Sequence, residues 1–217
     1  QDLPVVMCLD RGGLVGEDGV THHGVFDMAA FGAVPGLTIA APMNEPELRN
    51  MMYTALGSGH PFMIRYPRGH GEGLPWRGEK FETLPVGRGR RLREGADVAL
   101  LTVGTVGNAA ARAAGRAAAE GVSVAHYDLR FVKPLDEALL DEVGRKFRRV
   151  VTVEDGSLRG GVGEAVAAFF NGRGYDVRVQ RLGIGDEWVE HGTPRQLYAL
   201  CGYDEEGILR ALLDTRA

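Results

Sequence analysis

Short apolar runs alternate with helix-spaced segments along most of this chain, and that alternation restricts the fold to layered α/β architectures. "LPVVMCLD" (residues 3–10), "LTIAAP" (37–42) and "HPFMIRYP" (60–67) have continuous apolar cores, the pattern of parallel strands covered on both faces. Between them, "GVFDMAAFGAVPG" has helix-compatible spacing and is stopped by Pro35 and Gly36. "MNEPELRNMMYTALGSG" predicts a helix with Asn44 at the N-cap, Pro46 in the first turn and Glu47 completing a capping box.

Residues 69–95 break the pattern with Gly, Pro and charge, apart from a possible short strand at 84–87. A second α/β pattern then starts. "ADVALLTVG", "VSVAHYDL", "RVVTVED" and "DVRVQRLG" read as strands, separated by an Ala-rich helix stopped by Gly121, by "LDEALLDEVGRKF" and by "GVGEAVAAFFNGRG". Helical segments near "TPRQLYALCG" and "DEEGILRALLDT" close the chain. The expectation is two three-layer α/β/α units with mainly parallel sheets: residues 1–70, a linker at 71–95, and residues 96–217. Functional groups should then gather at the carboxyl ends of the strands.

A net charge of −4 argues against a general nucleic-acid surface, and no run approaches the ~20 apolar residues of a membrane span. A small molecule or another protein is the expected partner. Two distant cysteines, Cys8 and Cys201, make neither a disulfide framework nor a zinc site, and both read as buried thiols in a reducing cytoplasm. The opening "QDLP" lacks an initiator Met and enters a strand almost at once, as expected of a piece of a longer polypeptide.

The densest chemistry is "DRGGLVGEDGVTHHGVFD" (10–27), just past the first strand. Gly12, Gly13, Gly16 and Gly19 permit close backbone approach, while Arg11, Asp18, His22 and His23 offer an anion-binding fork, an acceptor and two imidazoles. A polar turn with local hydrogen bonds is the alternative. Adjacent histidines without an HxxxH or CxxC pattern do not make a metal site. "EDG" at 17–19 followed by Asn44 imitates a GDG…N magnesium-diphosphate motif, but Glu17 replaces the first glycine and Asn44 is better explained as a helix cap.

"IRYPRG" (64–69) ends the third strand with Arg65 and Arg68. Arg65 reads equally as a phosphate ligand or as a surface partner of an acid. Arg68, with Arg11 from the first strand's end, could close around one phosphate through charge-assisted hydrogen bonds. In "LRFVKPLD" (129–136), a strand end, turn and helix start are expected, with Asp136 as N-cap or first-turn acid and Lys133 solvating the turn. "VEDGSLRGGVGEA" has acids at a strand end and glycines opening a helix, like an anion cradle, but lacks the GxGxxG spacing. His191 in "EHGTP" reads as a loop or interface residue.

Taken together, "DRGGLVGEDGVTHHGVFD", "IRYPRG", "LRFVKPLD" and "VTVEDGSLRGGVG" occur in the order and spacing of the 1-deoxy-D-xylulose-5-phosphate synthases, transketolase-like thiamine diphosphate enzymes, and the resemblance covers essentially the whole chain. GEDGxTH alone also resembles transketolase; "RYPRG" with "FVKPLD" favours the synthase. The pyruvate dehydrogenase beta subunit is similar in layout but lacks the GEDGVTHHG wording. The resemblance implies the latter half of a pyrimidine-binding domain followed by a transketolase C-terminal domain. It implies that pyruvate, after losing carbon dioxide on the cofactor, is joined to glyceraldehyde 3-phosphate. By position, it assigns Arg11 and Arg68 to the substrate phosphate, Asp18 to the acceptor hydroxyl and His22 to proton transfer, with His23 in a supporting place. Thiamine diphosphate and Mg2+ would be bound mainly by an amino-terminal portion of the same polypeptide, preceding Gln1, without which the chain is expected to be inactive. A cytoplasmic homodimer is also implied. The alternatives are transketolase or a related ketol transferase, or a noncatalytic dimerisation scaffold. The latter has no reason to bring Arg11 and Arg68 together.

Overall fold

The computed structural model describes residues 2–214. The first apolar runs form β1 (Val6–Leu9), β2 (Thr38–Ala40) and β3 (Phe62–Arg65), parallel in the order β1-β3-β2, with α1 (Asp27–Gly32) after β1 and α2 (Glu45–Leu56) after β2. Strand alternation sorts their side chains into two layers. Phe62 and Ile64 pack with Met51 and Ala55 of α2 on one face, while Ile39 and Met63 meet Phe31 of α1 on the other.

Downstream come β4 (Arg90–Arg93), β5 (Val98–Val103), β6 (Val124–Asp128), β7 (Phe131–Lys133), β8 (Arg149–Ser157) and β9 (Arg178–Ile184). All but β7 form a second sheet, ordered β4-β6-β5-β8-β9 and parallel except for β4. The helices are α3 (Val106–Ala119), α4 (Glu137–Lys146), α5 (Val162–Gly172), α6 (Pro194–Leu200) and α7 (Glu205–Leu213). Val98, Leu100 and Val151 face α3 and α7, whereas Ala99, Leu101 and Val150 face α4 and α5. Both sheets are thus covered on two faces, and the expected three-layer α/β class holds.

Several local expectations are corrected. Phe131–Lys133 is not a simple strand end and turn: β7 crosses to the first sheet and pairs antiparallel with β2. Phe131 is fully buried there beside Phe62 and Ala40, and burying a Phe side chain contributes roughly 1.5–3 kcal/mol. Lys133 does not solvate its turn, because its ammonium donates to the carbonyls of Gly32 (2.9 Å) and Val34 at the end of α1. Residues 84–87 form no strand; Leu84 lies buried against α2, its N–H donating to the Thr54 hydroxyl at 2.8 Å. Within the stretch read as linker, Arg90–Arg93 joins the second sheet as β4.

Asn44 caps α2 as expected, accepting from the Glu47 N–H at 3.1 Å. Glu47 does not return the contact of a capping box. Its carboxylate accepts from Arg130 at 2.8 and 2.9 Å and from Arg90 at 2.9 Å, and Arg90 also donates to Asp128 at 3.1 Å, so a partly buried ion network joins α2 to the second unit. Asp136 caps α4 through the Leu139 N–H at 3.1 Å. Neither cysteine is fully buried: Cys8 is exposed on edge strand β1 and Cys201 is half-buried at the end of α6.

Candidate functional site: an arginine pair over a tied loop

Past β1 the chain makes a loop whose neck is closed by glycines. Gly13 and Gly24 exchange both backbone hydrogen bonds, at 2.8 and 2.9 Å, and the Gly12 N–H donates to the carbonyl of Tyr66 at 2.9 Å, tying the loop to the end of β3. Arg11, just before this neck, has φ +60°, a costly conformation for a side chain that its neighbours must enforce.

The loop and the β3 end bring Arg11, Asp18 and Arg68 together. Nη1 of Arg11 donates to Oδ2 of Asp18 at 3.0 Å, and Nη1 of Arg68 donates to that same oxygen. Two guanidinium groups from separate strand ends therefore converge on one anionic atom. All three side chains are partly open to solvent, so the cluster is accessible and its ion pairs add little stability. Arg68 also lines a cleft of about 860 Å³ between the two units, with Tyr66, Asn44, Thr105, Arg195 and Tyr198 around it. This is within the size range of small-molecule sites.

The two histidines differ. His22 is exposed, its Nδ1 lying 3.0 Å from the Thr21 hydroxyl. His23 is half-buried, and its Nδ1 accepts from the Val15 N–H at 3.1 Å, which puts any ring proton of the neutral form on Nε2. His23 thus braces the loop.

Arg65 pairs with an acid, as one of its two readings had it, but in the interior and not at the surface. Its side chain is only 5% exposed and donates from Nε to Asp27 at 2.6 Å, and from Nη2 to the carbonyls of Asp155 (2.9 Å) and Gly24 (3.4 Å). It is a buried tie between the loop and the second unit.

The "VEDG" acids are likewise structural. Glu154 accepts from the N–H groups of Val162 (2.7 Å) and Gly163 (2.8 Å), so the protein's own carboxylate fills the start of α5 where an outside anion was the alternative. Burial pushes its pKa up to about 7, against the pull of those N–H donors. Asp155 points the other way, into the first unit. Its Oδ1 accepts from the Leu14 N–H at 3.0 Å and the Tyr203 hydroxyl at 2.8 Å, and its Oδ2 from the Tyr198 hydroxyl at 3.1 Å. Burial raises its pKa, opposed by Arg65, Tyr203, Leu14 and Tyr198. Gly13 leaves the necessary room, since a side chain there would overlap this carboxylate. Sequence reasoning missed Asp155, Tyr198, Tyr203 and Asp27. The acid at a strand end was a visible signal, but its partners lie more than forty residues away in either direction.

Among the described residues, no group of three or more His, Cys, Asp or Glu side chains is arranged to hold a metal ion, and no helix is long and apolar enough to cross a membrane. The side chain of Asn44 is engaged with its own helix and Asp18 with two arginines.

The transketolase pyrimidine-binding domain model matches residues 1–72, and the transketolase C-terminal domain model matches residues 87–208. The 1-deoxy-D-xylulose-5-phosphate synthase of Bacteroides fragilis is 56% identical over 214 residues, covering 98% of this chain and 33% of the relative. That of Symbiobacterium thermophilum is 46% identical over 208 residues, covering 96% and 32%. The chain spans about a third of the length of these curated relatives. Among solved structures, "Split gene transketolase, inactive beta4 tetramer" superposes with a TM-score of 0.85 at 27% identity, over 97% of this chain and 66% of that one.

Proposed function

The chain belongs to the transketolase family, among the 1-deoxy-D-xylulose-5-phosphate synthases, and on that premise we propose that it forms the acceptor-binding side of such an enzyme's active site. The reaction joins pyruvate to glyceraldehyde 3-phosphate, takes up one proton and releases carbon dioxide to give 1-deoxy-D-xylulose 5-phosphate, a precursor for isoprenoids, thiamine and pyridoxal. Thiamine diphosphate and Mg2+ are assigned mainly to polypeptide outside residues 1–217, in keeping with the chain's spanning about a third of its relatives' length. That further polypeptide is required for activity, and the working form is a cytoplasmic homodimer.

The observation that carries this reading is the convergence of Arg11 and Arg68 on one oxygen of Asp18. An acceptor phosphate presents several such oxygens and more charge, so it replaces the carboxylate between the guanidinium groups through bidentate, charge-assisted bonds. Asp18 is then released to accept from an acceptor hydroxyl. His22, exposed and steadied by Thr21, exchanges a proton with the substrate oxygen. "RYPRG" with "FVKPLD" supports the synthase over ketol transfer.

Replacing Arg68 by Ala in the full-length, cofactor-loaded enzyme tests this. The Michaelis constant for glyceraldehyde 3-phosphate should rise about tenfold or more while that for pyruvate changes little; equal rises in both would contradict a phosphate role.

A further inference from the structure

We propose that Asp155 is a positioning residue for the acceptor clamp, and that holding the neck of the 10–27 loop is the second unit's contribution to the reaction. This rests on the assignment of Arg11 and Arg68 to the acceptor's phosphate. Arg11 lies three residues before Leu14, and Asp18 four residues after it. A loop that long is costly to order unless its base is fixed. The second unit fixes one side of the neck directly and the other through Arg65 of the first unit. Asp155 accepts the Leu14 N–H on one strand, while its carbonyl takes Arg65, which also reaches Gly24 on the other.

The Asp155 carboxylate is itself aimed. Tyr198, within α6, and Tyr203, in the turn just before α7, each donate a hydroxyl to it. It approaches the Gly13 backbone so closely that no side chain fits between them. Without it the buried Leu14 N–H has no acceptor, and a buried unsatisfied donor drives local rearrangement. The displacement would reach Arg11 directly through three residues of backbone, and misplacement of a binding group by ~1 Å can cost up to about a hundredfold. Asp155 touches no reacting atom, so its effect must appear through the arginines.

The test uses the full-length holoenzyme carrying Asp155→Ala, which removes the acceptor of the Leu14 N–H, and, separately, Tyr203→Phe, which keeps the ring and removes one donor. Each is assayed with glyceraldehyde 3-phosphate and with unphosphorylated D-glyceraldehyde, beside Arg68→Ala. A positioning role predicts that kcat/KM falls about tenfold for the phosphorylated acceptor and less than about threefold for the other. Equal losses on both acceptors, or no loss in either variant, would overturn it. If Arg68→Ala keeps the normal preference for the phosphorylated acceptor, the clamp assignment fails and this inference with it. Loss of preference in Arg68→Ala but not in the other two overturns the role of Asp155 alone.

Discussion

Arg65 and Asp27 meet at 2.6 Å in a site where both side chains are at most 9% exposed, whereas Arg68, three residues further on, sits 47% exposed over Asp18. The same residue type is therefore a structural tie at one position and an available ligand at the next. Removing Arg65 strands a buried carboxylate, so Arg65→Met should lower stability by about 3–5 kcal/mol. Arg68→Ala should cost no more than about 1 kcal/mol. Thermal unfolding of the two variants beside the parent measures the contrast, and equal shifts would refute the distinction.

His126 provides a pH signature away from the site. It is buried on β6, its Nε2 2.9 Å from the Thr102 hydroxyl, and burial together with Arg90 and Arg93 lowers its pKa from 6.5 to about 4. A histidine depressed in the folded state binds its proton more tightly when unfolded. Its contribution to stability is complete above pH 6.5 and is lost as pH falls toward 4. The imidazole proton resonances should show no titration between pH 8 and 6, and His126→Gln should flatten the fall in stability between pH 6.5 and 4. A midpoint near 6.5 would contradict the buried, neutral state.

The adjacent histidines should separate kinetically. His22→Ala should lower kcat about 100-fold, in the range of a lost general acid or base, with thiamine diphosphate affinity kept. His23→Ala removes the acceptor for the Val15 N–H, so its main effect should be a raised acceptor Michaelis constant as the loop loosens. Single-turnover and steady-state assays of both variants decide this; unchanged turnover in His22→Ala would remove it from the mechanism.

The layered fold was legible because most of the strands have apolar cores, and two-sided burial demands such runs. The exceptions show the limits. β4 is "RRLR", a mostly exposed edge strand with no apolar signature, so pairing with β6 alone defines it. β7 is short, and nothing local in "FVK" says that it belongs to the other sheet. Asn44, Asp136 and the pairing of Arg11 with Arg68 were readable because caps and strand-end arginines act locally or at positions the topology brings together. Asp155 was not, because its meaning lies in Leu14, Tyr198 and Tyr203, distant in sequence and joined only by the packing of one unit on the other.

On the proposed assignment, Arg11 and Arg68 close on the acceptor's phosphate, with Asp18 holding that place until it arrives. A crystal structure of the full-length enzyme with glyceraldehyde 3-phosphate or inorganic phosphate tests it most directly. Phosphate oxygens should lie between the two guanidinium groups, with the Asp18 carboxylate withdrawn from one or both. Phosphate bound elsewhere, with Arg11 and Arg68 still paired to Asp18, would contradict it.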